Sequence, residues 1–175
     1  MPCGAMRWLV LAVLALAPAV SFAQRGDGLL SGPATVKIRV GVVAGGILSG
    51  KNSAPGVGVQ AGAFLRLGKS FDVGVNVFTL GDAREGEGAL VVAGEGMLRL
   101  LLEEFRPNRL WLELAGGVAQ VSEPDVPSRP KGSGGAALTV EIGEKGLGGF
   151  VSVGLRVARS DRVFGLPYLG LGLFF

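Results

Sequence analysis

Tyr168-Leu-Gly-Leu-Gly-Leu-Phe-Phe175 is the stretch that decides the fold. Side chains on an extended strand alternate between two faces. Leu169, Leu171, Leu173 and Phe175 therefore share one face, and Tyr168, Gly170, Gly172 and Phe174 the other. Chain ends usually fray. An apolar strand at the end of a chain has to be held in a sheet, which makes this segment an edge that is paired.

Working back from it, alternation cut by turn residues predicts seven more strands. They cover about 35–45, 57–68, 71–80, 89–102, 109–121, 135–143 and 149–159. Each carries a Val/Leu/Ile stripe on one face: Val36, Ile38, Val40 and Val42 in the first, Val151, Val153, Leu155 and Val157 in the seventh. The intervening segments are expected to be a polar loop over 47–56, a tight turn at 68–70, and an acidic loop over 81–88. A turn over 103–108, a Pro-rich loop over 122–134, a turn over 144–148 and a loop over 160–165 complete the set. Connections after the odd strands read as somewhat longer than those after the even ones. The strands approach the roughly 9–11 residues that a tilted strand needs to cross a bilayer.

Charge supplies an independent regularity. Lys37, Arg39, Arg66, Arg99 and Arg156, with Asp72, Glu95, Glu113 and Glu141, all lie on the face opposite the apolar stripe. If the stripe meets lipid, these nine residues point inward, and near-balance of sign is what an enclosed interior requires. A turn centred on Lys69 sets Arg66 opposite Asp72, and one centred on Arg106 sets Arg99 opposite Glu113. Both are expected to be ion pairs. With the stripe turned inward instead, the same pattern would describe a soluble, lipocalin-like barrel whose charges are solvated.

The N-terminus reads as export. Arg7 precedes the apolar run from Trp8 to Val20, and Ser21-Phe22-Ala23 fits a small-x-small cleavage site. Residues 1–23 are the expected signal peptide, 24–34 a short periplasmic segment and 35–175 the barrel. Cleavage would remove Cys3, the one cysteine, so no disulfide would hold the mature chain. Gly accounts for 31 of the 175 residues and is spread through apolar segments, as in strands that curve or pack closely. Gly41/Gly45 and Gly58/Gly62 have the spacing of packed transmembrane helices, but the charges beside them favour strands. Arg25-Gly26-Asp27 matches an adhesive tripeptide in letters only, and chance explains three residues.

The tail resembles the C-terminal insertion signal of bacterial outer-membrane β-barrels, carried by Tyr168, Gly170, Leu173 and Phe175. As a pattern, the whole of 35–175 resembles the small OmpA/OmpX-type barrels. The resemblance implies an all-β, eight-stranded antiparallel up-and-down transmembrane barrel in the bacterial outer membrane. It also implies outer-membrane lipid and the barrel-assembly machinery as partners. Interface aromatics would be Phe71, Phe105 and Phe175 on the periplasmic side and Phe164 on the outer side.

Composition narrows the chemistry. The chain has no His, which removes the commonest general base and a common metal ligand. Outer-membrane enzymes that depend on His are therefore not expected, and Ser152 near Glu141 reads as interior hydrogen bonding. No spacing suggests a metal site or a cofactor. A net charge of +3 without a basic run gives no nucleic-acid signature. Eight strands enclose only enough room for side chains. The expected role is a non-enzymatic envelope structural or interaction protein, with the 122–134 loop as a possible contact for an envelope or surface partner. The alternative is a narrow conduit for small apolar molecules, resembling OmpW-type barrels, which would need an open apolar lumen.

Overall fold

The computed structural model describes residues 35–50, 52–83, 88–123, 129–143 and 147–175. The expected signal peptide, the 24–34 segment and the Arg25-Gly26-Asp27 tripeptide lie outside them. Eight strands run in chain order: β1 (Val36–Ser49), β2 (Asn52–Arg66), β3 (Phe71–Asp82), β4 (Leu90–Phe105), β5 (Asn108–Ser122), β6 (Lys131–Ile142), β7 (Gly148–Arg159) and β8 (Val163–Phe174). Each pairs antiparallel with the next, and β8 returns to β1, so the sheet closes into a barrel with no free edge.

The 168–175 tail is the seam. Gly45 pairs with Tyr168, Val42 with Leu171 and Arg39 with Phe174. Ile38 and Phe175 exchange backbone hydrogen bonds of 2.8 and 3.0 Å, which ties down the final residue.

Period-two alternation sorts the side chains as the sequence predicts. Val42, Val59, Val118, Val153 and Leu173 stand on the outer wall, each more than half exposed to the surroundings. Arg39, Arg99, Glu113 and Arg156 are buried inside. This orientation excludes the lipocalin-like arrangement, in which the apolar stripe would fill the core. Every strand has 12 residues or more, enough to cross a hydrocarbon layer at a tilt.

Several expected loops are strand. Residues 47–49 and 52–56 are paired, Ile47 with Ala54 and Ser49 with Asn52. β1 ends at Ser49 and β2 begins at Asn52, and between them Gly50 takes φ 60°, a left-handed conformation that glycine adopts without steric cost. Turn-type composition was outweighed there by the gain from continuing the ladder. β6 likewise starts at Lys131, so the Pro-rich connection occupies 123–130, of which 124–128 lie outside the described residues. The expected contrast between long and short connections fails at the β1–β2 hairpin and again at β7–β8, where the strand resumes at Val163. In the β4–β5 hairpin the register shifts between Leu101 and Glu103. This bulge brings Arg99 back opposite Glu113, although the turn itself, Arg106-Pro107, is centred half a residue further on.

Glycine makes the seam possible. A Cβ on Gly45 would lie 2.1 Å from the Pro167 carbonyl oxygen, and one on Gly172 would lie 2.1 Å from that of Val40 and 2.5 Å from the Phe150 ring. Backbone cannot yield to such contacts. Gly172→Val should therefore cost about 1–3 kcal/mol through overpacking. Urea titration of the folded barrel in lipid should show this, and an unchanged midpoint would contradict the close approach.

Candidate functional site

The interior is the candidate site, and its inner half is electrostatic. Cross-strand register places Arg66 opposite Asp72, Asp72 opposite Arg99, and Arg99 opposite Glu113, so alternating charges line one row across four strands. The side chains close the contacts. Arg66 Nε lies 3.0 Å from Asp72 Oδ1. Arg99 donates to three carboxylates: Nη1 to Asp72 at 3.2 Å, Nε to Glu113 at 3.1 Å, and Nη2 to Glu141 at 2.6 Å. Arg39 reaches from β1 to grip Glu113 with both terminal nitrogens, at 2.5 and 3.1 Å. Lys37 Nζ lies 2.6 Å from Glu141 Oε2.

Aromatic rings fill the space between these charges. Arg99 lies over the Phe64 and Trp111 rings at 4.7 and 4.5 Å, and Arg39 over Phe64 and Phe150 at 5.0 and 4.8 Å. Trp111 Nε1 also donates to Glu141 at 3.1 Å. A guanidinium paired with carboxylates at its edge and rings at its faces keeps both kinds of favourable contact on leaving water. Among the nine sequence-predicted residues, seven join this network. Glu95 and Arg156 stand apart as a second buried pair, 3.4 Å between Oε2 and Nε. Ser152 bonds to Gln60 at 3.5 Å rather than to Glu141.

The outer half of the interior is apolar, which the charge pattern did not suggest. Val43, Ile47, Phe78, Leu80, Val91 and Phe164 belong to one buried cluster there, continued by Leu166 and the ring of Tyr168. Phe164 is thus a core residue, not an outer-interface aromatic. Trp111 and the interior phenylalanines were legible as inward-facing, but their place among the cations was not. The signal lies in the inward positions of β1, β3, β4 and β5, apolar towards the outer end and charged towards the inner end; β7 runs the other way, with Phe150 nearer the inner end than Arg156.

Of the tail residues, Tyr168 is buried and Leu173 and Phe175 face outward. Gly170 lies between, where an added Cβ would be 2.4 Å from Ser152 Oγ and 2.5 Å from Gln60 Nε2. Among the described residues no group of three or more His, Cys, Asp or Glu could hold a metal ion.

Closed eight-strand topology with an apolar outer wall and a filled interior has solved counterparts. Neisserial surface protein A superimposes with a TM-score of 0.71 at 10% identity, covering 81% of this chain and 97% of that one. The fold is that of the small OmpA/OmpX-like outer-membrane barrels. Ail, the attachment invasion locus protein of Yersinia pestis, matches with a TM-score of 0.53 at 15% identity, covering 80% of this chain and 97% of that one. Ail has also been solved with the heparin analogue sucrose octasulfate. No protein-family model matches the sequence, and no curated protein is significantly similar to it.

The network predicts unequal costs for its members. Arg39→Met leaves the fully buried Glu113 with Arg99 as its remaining cation and should cost roughly 3–5 kcal/mol. Arg66 is 29% exposed, and its loss should cost less than about 1 kcal/mol. Equilibrium unfolding in lipid would compare them; equal costs would contradict the buried network.

Proposed function

We propose that the protein is a non-enzymatic resident of the bacterial outer membrane, acting as an envelope structural or interaction barrel. The interior carries this reading. An ion-paired inner half and a packed apolar outer half fill the lumen, with Arg99, Trp111, Phe78, Leu80 and Val91 all fully buried. Such a lumen supports load-bearing and surface contact rather than passage. Function then falls to the rims and outer wall. The 123–130 connection, within the 122–134 segment, is the candidate contact for an envelope or surface partner.

The outer wall supports the membrane assignment physically. Apolar side chains stand exposed on every strand, far beyond the isolated patches a soluble surface carries. A lipid layer covers such a belt, and closure satisfies the backbone inside it. Residues 1–23 would direct export, with 24–34 as a periplasmic lead-in to the barrel at 35–175. Tyr168, Gly170, Leu173 and Phe175 would then present the closing strand to the assembly machinery.

Fractionation with a heat-modifiability gel tests the reading: a band in the outer-membrane fraction that migrates as a compact form until boiled. A soluble periplasmic band would overturn it. Deleting Phe175 should lower the assembled fraction. In planar bilayers the intact protein should show no sustained conductance, and a steady conductance or uptake of an apolar solute would instead favour the narrow conduit.

A further inference from the structure

The rim opposite the chain ends is uneven in charge. Where the β5–β6 and β7–β8 connections meet, Arg129, Lys131, Arg159 and Arg162 gather, with Glu123 and Asp161 among them. Two cations are engaged locally. Lys131 Nζ donates to the Ser160 carbonyl at 2.8 Å and to Asp161 Oδ1 at 2.7 Å, and Arg162 pairs with Glu123 while lying over the Phe164 ring. The Lys131 hydrogen bond and charge, helped by Arg129, hold the Asp161 carboxyl below its usual range. Asp161 therefore remains ionised and keeps Lys131 in place. Arg129 and Arg159 are both exposed, and among the described residues neither side chain makes a hydrogen bond or salt bridge.

Arg159 is the informative one, because of where its strand aims it. Along β7 it continues the outward face of Val151, Val153, Leu155 and Val157. It pairs across to Val163 on β8, which is itself 58% exposed. Its cation thus stands at the top of the lipid-facing stripe, on the side of the barrel rather than at a loop tip. A shallow groove beside it is lined by Lys131, Gly132, Ser160 and Asp161. At Gly132 an added Cβ would meet nothing within 4 Å, so the groove is open to the wall.

We propose that this groove seats the phosphate of an anionic lipid headgroup in the outer leaflet, with Arg159 as its principal contact and Arg129 as its second. A cation just above an apolar wall meets the membrane where acyl chains give way to headgroups, and its aliphatic stem can lie along the apolar surface. The charges supply the rest: Arg159 lines the groove, Arg129 lies near enough to act on Asp161, and the groove's one carboxylate is already held by Lys131. A soluble polyanion would instead be drawn to the loop-tip cations and would gain nothing from the apolar stripe.

The inference rests on the outer-membrane reading above, so its test begins with insertion. The full-length mature protein is refolded into phosphatidylcholine nanodiscs with and without lipid A, a bisphosphorylated glycolipid. Retained lipid A per barrel is then measured after detergent exchange. The expected result is selective retention that weakens with salt and drops roughly fivefold in Arg159→Gln, with a similar further drop when Arg129→Gln is added. The heat-modifiable form should be unchanged in both variants. Failure to insert would overturn both readings. Normal insertion with no selective retention, or with retention indifferent to these substitutions, would overturn the headgroup site alone. Equal competition by free inorganic phosphate or sucrose octasulfate would overturn the assignment to lipid.

Discussion

Arg99 is the group on which the interior depends. A guanidinium with no exposure to water is tolerable only if its donors and its charge are matched on the spot. Asp72, Glu113 and Glu141, from three different strands, do this. Those contacts demand one register between β3, β4, β5 and β6. A slip of one residue in any pair would send the carboxylate to the lipid face. The network therefore helps specify the barrel as well as stabilise it. Phe64 and Trp111 complete the environment by occupying the faces of the cation.

The two halves of the lumen solve the filling problem in different ways. The inner half uses directional contacts, so each partner is fixed by identity and position. The outer half uses packing of Ile47, Phe78, Leu80, Val91, Phe164 and Leu166, which is non-directional and tolerates volume-conserving change. Between them lies the Glu95–Arg156 pair, with the Tyr168 ring against Phe78 at 5.1 Å. A barrel built this way carries an apolar core inside and an apolar belt outside over part of its height. That double hydrophobicity explains the high apolar content of 49% despite nine buried or half-buried interior charges.

Much of this was legible because a strand has only two faces. Placing Lys37, Arg39 and Arg66 opposite the valines was enough to predict which way they point. Counting back from a turn was enough to set Arg66 against Asp72. For Arg99 and Glu113 the count succeeded because the bulge at Leu101–Glu103 absorbs an offset in the turn, a feature with no signature in the residues. Long-range partners such as Arg39 with Glu113 were not legible. They face each other across the lumen, and no local spacing encodes that. The 47–56 segment reads as a loop for a related reason. Gly, Ser, Asn and Pro favour turns locally, yet a closing sheet rewards every additional pair, and Pro55 is accommodated opposite Gly46. Phe164 reads as an interface residue because an aromatic near a strand end suits a girdle and a core equally well, and only its inward facing decides for the core.

Filling the lumen also determines where specificity can reside. In an eight-stranded barrel, widening the interior to take a ligand would require removing side chains that now hold register or core. The network offers little to remove, since losing one partner leaves another charge buried. Outward positions carry no such constraint. Substitution at Arg159 leaves the Arg156 and Ala158 contacts inside untouched, because alternation sends their side chains to the other face. Selection can act on the wall and rim of β7 and β8 without disturbing the scaffold. Exposed cations at the upper end of an apolar stripe are the kind of feature that this separation permits.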